Sequence, residues 1–372
     1  MTSALREHAR RARITLQAAR HGFERAPAWL AMVRAPAAQG VRVSYGRDRM
    51  PALGEVSRGG IVKFQHLAEA LPNRPRDFSV LYLGSSSLPL DATTLVRVAR
   101  RRSAAFAWNQ NGVAYPAWAG DRFRDINRPM ARLLHQADHV LYQSAFCKLS
   151  ADRFLGERRG PWEILHNPVD TQRFTPAPRP ERPLTLLLAG SQYQEYRVTT
   201  ALRTLAELPG ARLVVAGEID FAADGPAVAQ RLADELGVAA RVEWKGSYTQ
   251  AEAPQLYRGA DILLHTKVQD PCPTAVLEAM ACGLPVVFAS SGGTPELVGD
   301  AGAGVDSPLD WGTERIPAPD AFAAAVETVA ASLERLSETA RARAVEHFDL
   351  ARWIARHVEL FDGLVTARLG AE

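Results

Sequence analysis

Cysteine is scarce in this chain: Cys147, Cys272 and Cys282 are the only three in 372 residues. Their scattered spacing suits neither a zinc site nor a disulfide framework, which points to a reducing cytoplasm. Long apolar runs are missing too. Nothing approaches the ~20 consecutive apolar residues of a membrane span. Arginines from Arg6 onward leave no apolar core for a secretory signal. No internal repeat or low-complexity segment stands out, and no nucleic-acid-binding motif accompanies the arginines, so a nucleic-acid partner is not expected. What remains is an ordinary globular composition, 47% hydrophobic and 23% charged, on a chain long enough for two domains.

The charge is unevenly placed. Residues 1–180 hold 28 Lys and Arg against 14 Asp and Glu, and residues 181–372 hold 16 against 27. Seven of those arginines fall in residues 1–40, beside only Glu7 and Glu24. A basic first half suits an anionic neighbour, such as a membrane surface or a phosphorylated acceptor. Residues 1–40 read as a basic amphipathic extension able to lie on anionic lipid.

Strand-like and helix-like stretches alternate. Strands are expected at 41–46, 78–84, 104–110, 139–144 and 162–167, then at 184–190, 211–217, 241–246, 261–266 and 285–290. Helices fall near 59–71, 127–137, 146–155, 198–208, 226–236, 250–259 and 274–282, and the tail from about 319 is helical. Apolar strands separated by helices predict an α/β class with parallel sheets covered on both faces. The proline-rich stretch from Pro168 to Pro183 lies where the charge changes sign and reads as an interdomain linker. The domains are thus 41–175 and 183–349, with 350–372 packing back on the first.

The densest chemistry lies in "KVQDPCPTAVLEAMACGLPVVFASSGGTPE", Lys267 to Glu296. Pro271 and Pro273 suit a loop and a helix start, where backbone N–H groups are not needed. A helix follows from Thr274, and Gly283 is placed to end it. The free N–H groups of Thr274 and Ala275 then face the loop that holds Asp270, which makes an anion site beside a carboxylate. Asp270 alone would read as a dipole-favoured helix-start acid, and Glu278 alone as a surface residue.

Together these residues resemble the retaining glycosyltransferases of family 4. In that family a carboxylate, seven residues and a Glu precede "EAMA-G-PVV" and "GG-PE". Asp270 and Glu278 keep the spacing, as an Asp-x7-Glu variant of the usual Glu-x7-Glu. The resemblance reaches upstream to "QADHVLYQSAFCKLSADRFLG" and "ILHNPVDTQRF" and covers about residues 41–365. It implies the GT-B fold, two doubly wound Rossmann-like domains facing each other across a cleft. It also implies a UDP- or GDP-sugar co-substrate with no other cofactor, and a glycan or lipid-linked acceptor.

Site residues follow by matching positions. Asp270 and Asn111 would act at the donor sugar; Asn111-Gly112 stands where the family has His-Gly, and an amide cannot carry a proton at neutral pH. Glu278 would hold the ribose and the backbone of Tyr248 the base. Gly59 and Gly60 allow close approach of the chain to the donor. Ser191 and Tyr196 replace the family's Arg and Lys, which leaves Arg197 as the nearest cation to pair with phosphate. Cys272, with no histidine near it in sequence, reads as a small loop residue. No Asp-x-Asp pair supplies a metal–diphosphate clamp, so no metal is expected. A phosphorylase or epimerase on the same fold, or a binding protein without turnover, are the rival readings.

Overall fold

The computed structural model describes residues 20, 23–35, 38–53, 55 and 59–370. Two all-parallel sheets organise them. The first runs in the order β1 (Val43–Ser44), β2 (Val80–Gly84), β3 (Ala105–Gln110), β4 (His139–Tyr142), β5 (Trp162–Ile164). The second contains β6 (Thr185–Ala189), β7 (Arg212–Ala216), β8 (Val242–Gly246), β9 (Ile262–His265), β10 (Val286–Ala289) and β11 (Gly302–Val305), in the order β11-β10-β9-β6-β7-β8. The second sheet starts in its middle, runs out to β8 and returns beside β6. The crevice at that reversal, beyond the carboxyl ends of β6 and β9, is where doubly wound sheets bind ligands.

β2, β3 and β6 are buried along their whole length, so both faces are covered and their sequences read as continuous apolar runs. The ten strands expected from the sequence are all present, though 41–46 shortens to Val43–Ser44. β11 and the helix Ala92–Arg101 were not anticipated. β11 is "GAGV", and glycine inside a strand argues against one on propensity. Here Gly302 is required by packing, since a Cβ would sit 2.0 Å from the Val286 carbonyl oxygen.

The last helix, Leu350–Leu369, belongs to the core of the first domain. Its N-cap Asp349 accepts from the Ala351 and Arg352 N–H groups. Trp353, Leu360, Phe361 and Val365 pack with Val43, Phe64 and Tyr82, and His357 Nε2 lies 2.9 Å from the Tyr82 hydroxyl. Most of the basic extension 1–40 lies outside the described residues. Residues 23–34 are helical and dock on the first domain: Met32 is buried, and Trp29 Nε1 donates to Asp91 Oδ2 at 2.9 Å. No described helix is long and apolar enough to cross a membrane.

Candidate functional site

A cleft of about 650 Å³ opens between the domains. The first domain lines it with Gly60, Ser85, Ser86, Asn111, Gly112 and Tyr115, and the second with Lys267, Asp270, Pro271, Cys272 and Thr274. A larger open groove of about 790 Å³ lies at the carboxyl ends of β7 and β8. None of the expected site residues borders that groove, so the chemistry belongs to the cleft.

Asp270 is fixed by its backbone and by its charge environment. Gly293 N–H donates to the Asp270 carbonyl at 2.7 Å, and Asp270 bridges to Gly292. The glycine pair is what lets the chain pass so closely: a Cβ on Gly292 would lie 2.5 Å from Asp270 O, and one on Gly293 2.0 Å from Pro271 O. Gln269 just before it has φ +52°, a left-handed backbone uncommon outside glycine. Ser291 Oγ accepts from Gln269 N–H at 3.0 Å and the Asp310 carbonyl accepts from its Nε2 at 2.8 Å. Strain held in place this way is a mark of functional loops.

The Asp270 side chain has Lys267 Nζ at 3.1 Å and His265 Nε2 at 3.3 Å, both from Oδ2. Burial alone would raise its pKa, but Lys267, His265 and Arg197 together hold it well below the usual carboxylate range. His265 is pushed the other way, its pKa lowered by burial against the pull of Asp270. Asp270 is therefore an obligate carboxylate at neutral pH, beside a neutral histidine and a lysine.

The helix Thr274–Ala281 starts from Pro273 in an extended conformation with no side-chain cap. Its leading N–H groups are left for a ligand. Gly283, at φ +77°, ends the helical segment. Inside the helix Glu278 is buried, its Oε2 accepting from Tyr257 Oη at 2.8 Å and its Oε1 from Gln250 Nε2 at 3.4 Å. Burial pushes the Glu278 carboxyl up to about 7. Tyr248, whose own pKa burial raises to about 12, stands with Tyr257 behind Glu278 and does not line the cleft.

Across the cleft, Asn111 Nδ2 donates to Ser86 Oγ at 2.6 Å, and its N–H donates to Ser85 Oγ at 2.9 Å. Gly112 meets the other domain directly, since a Cβ there would lie 2.6 Å from Pro271 Cγ. Gly59 and Gly60 open the helix Gly59–Ala70. A Cβ on Gly60 would sit 2.3 Å from Ser86 Oγ. Cys272 accepts from Asn167 N–H at 3.4 Å, and burial raises its thiol pKa, which leaves it no thiolate to attack with.

Residues 170–340 match the family model described as Glycosyl transferases group 1. This segment, just under half of the chain, is similar to group 1 glycosyltransferase domains. D-inositol 3-phosphate glycosyltransferase of Mycobacteroides abscessus is 35% identical over 163 residues, which is 40% of this chain and 37% of that protein. The chain thus spans well under half the length of this curated relative. Sucrose-phosphate synthase from Thermosynechococcus elongatus superposes with a TM-score of 0.65 at 18% identity, covering 78% of this chain and 74% of that one. HepE of Anabaena, solved in complex with UDP, superposes with a TM-score of 0.63 at 18% identity, covering 77% and 79%. The fold is GT-B, with the segment similar to group 1 domains in its second half.

Within the second domain Arg197 needs correction. It does not stand free at a helix start: it is 4% exposed. Its guanidinium donates to the Ser191 carbonyl at 2.5 Å and the Ala189 carbonyl at 3.3 Å, closing the end of β6. Ser191 itself is exposed and contacts Asp220 at 3.4 Å. Arg197→Met should therefore lower stability by about 1–3 kcal/mol, the cost of stranding buried carbonyls. Thermal denaturation checks this, and nucleotide affinity should fall by less than the tenfold of a phosphate-paired arginine.

Two lysines that the sequence reading did not single out stand at the cleft and beside it. The chain has only four lysines, at 63, 148, 245 and 267; Lys267 lines the cleft and Lys63 lies in the adjoining recess with Thr274 and Glu278. That economy in an arginine-rich chain was the available signal. Glu296, from "GGTPE", reaches the other domain. It accepts from the Ala145 and Phe146 N–H groups at 3.0 and 3.4 Å, capping the helix Ala145–Leu155. Trp311 of the second domain stacks on Phe146 at 5.5 Å, so cap and stack join the two domains beside the cleft. No group of three His, Cys, Asp or Glu able to hold a metal occurs among the described residues.

Proposed function

We propose that the chain transfers a hexose from a UDP- or GDP-sugar to a glycan or lipid-linked acceptor, with retention and without a metal. The observation that carries this reading is the uncapped start of the helix Thr274–Ala281 beside the fixed carboxylate of Asp270. Helix N–H groups hold the donor diphosphate and stabilise the charge that builds on it as the sugar leaves. Asp270 accepts from a sugar hydroxyl, and Glu278 from the ribose. The acceptor's proton passes to the departing diphosphate oxygen, so no strong general base is required, and the amide of Asn111 serves for orientation. UDP bound to HepE supports a nucleotide donor. The basic first half supports an anionic acceptor or membrane face, as in cell-surface polysaccharide or lipopolysaccharide synthesis.

A thermal-shift screen of nucleoside diphosphates and their sugars tests this. Ligand at about 100 times its Kd stabilises by about 2.7 kcal/mol, so UDP or GDP should raise Tm by several degrees. No shift with any of them would overturn the reading. Product analysis with free phosphate present separates transfer from phosphorolysis. Transfer should survive EDTA, and recovery of lost activity on adding magnesium or manganese would contradict the metal-free mechanism.

A further inference from the structure

The helix Gly59–Ala70 enters at the cleft, and one turn along it Lys63 points into the interior at 5% exposure. Its Nζ donates to Asn109 Oδ1 at 2.5 Å and to Asn111 Oδ1 at 3.2 Å. Both partners are neutral. Among the described residues no carboxylate forms an ion pair with it, and the charges it senses are the Cys272 and Cys147 thiols, which burial keeps protonated. An ammonium buried without a counter-ion is expensive, and burial draws its pKa down to about 7.

The surroundings hold Lys63 where it is. Asn109 Oδ1 also accepts from Gln143 Nε2 at 3.2 Å, and Asn109 Nδ2 donates to Tyr82 Oη at 2.9 Å. Two of the three ammonium N–H groups are used, which leaves one. The recess that Lys63 borders is also lined by Thr274, whose helix start is uncapped, and by Glu278. Other charges there are already engaged: Asp170 accepts from the Gln172 and Arg173 N–H groups, and Arg173 donates to the Gln250 carbonyl. Lys267 is tied to Asp270 and Arg197 to the end of β6.

We propose that Lys63 is the cation that pairs with the donor diphosphate from the first domain, opposite the helix N–H groups of the second. This rests on the glycosyltransferase reading. The diphosphate supplies the negative charge that the buried amine lacks, and binding it draws the two domains onto one ligand. In the absence of phosphate Lys63 serves Asn109 and Asn111, so its role in packing must be separated from its role in binding.

Titration calorimetry of the full chain with UDP, GDP and the matching nucleosides makes that separation. K63M and K63Q both remove the charge, and K63Q retains an N–H donor for the asparagine oxygens. Both should bind the diphosphate at least tenfold more weakly than wild type, with nucleoside affinity unchanged, and K63R should recover part of the loss. Folded K63M or K63Q with wild-type diphosphate affinity, or an equal loss for nucleoside and diphosphate, overturns the assignment. Wild type that binds neither UDP nor GDP overturns the glycosyltransferase reading itself.

Discussion

Asp270→Asn should slow transfer about 30- to 150-fold while the chain stays folded and still binds nucleoside diphosphate. Asparagine keeps the shape and the backbone bridge to Gly292 but removes the charge. In the native site the Lys267 and His265 contacts both fall on Oδ2, and no described contact uses Oδ1, which is left for a substrate hydroxyl. A charge-assisted bond to that hydroxyl is worth about 2–3 kcal/mol, which makes the loss in turnover roughly 30- to 150-fold. Nucleotide affinity should hold or rise, because Lys267 is released from its carboxylate. Transfer rates by product assay and affinity by calorimetry read the two effects separately. Wild-type turnover in a folded Asp270→Asn chain would remove Asp270 from the chemistry.

Glu278→Gln should stabilise the ligand-free chain increasingly as pH rises from about 4.5 to 7, with the full gain kept above that. Burial raises the folded-state pKa to about 7 from the ordinary glutamate value of 4.5. Below about pH 4.5 the group is protonated folded and unfolded, and stability is complete. As pH rises toward 7 the unfolded chain gives up its proton first, and stability declines until the folded pKa is passed. The full loss is about 3 kcal/mol at roughly 1.4 kcal/mol per pKa unit. Glutamine keeps an oxygen for Tyr257 Oη and carries no charge to bury. Its Tm should match wild type at pH 4 and exceed it by several degrees at pH 8. Parallel Tm–pH curves for the two chains would show that Glu278 carries no such penalty.

How much of this was readable beforehand depended on whether the cause is local. The Asp270–Glu278 spacing, the uncapped helix start and Gly283 all lie in one continuous stretch, residues 270–283, and the sequence displays them. Most of the ten strands were legible because fully buried parallel strands are apolar without interruption, although β5 and β8 are partly exposed. β11 was not, because Gly302 answers to the Val286 carbonyl on a neighbouring strand and Gly304 to the Ser290 hydroxyl. Arg197 read as a cation left for phosphate because its partners, the Ser191 and Ala189 carbonyls, meet it only once β6 and the following helix are packed. Glu296 looked like part of one motif, yet it caps a helix 150 residues earlier. Lys63 needed β3 beside its helix before Asn109 and Asn111 could meet it.

The most direct test of the account is proton NMR of donor turnover. The chain would be incubated with α-linked UDP- and GDP-hexoses and a pooled extract of cell-envelope glycans and glycolipids. A retaining transferase releases nucleoside diphosphate with the sugar appearing in α-linkage on an acceptor, undiminished by EDTA and slowed about 30-fold or more in Asp270→Asn. A product formed in β-linkage, or a donor left intact by wild type across the whole panel, would contradict it.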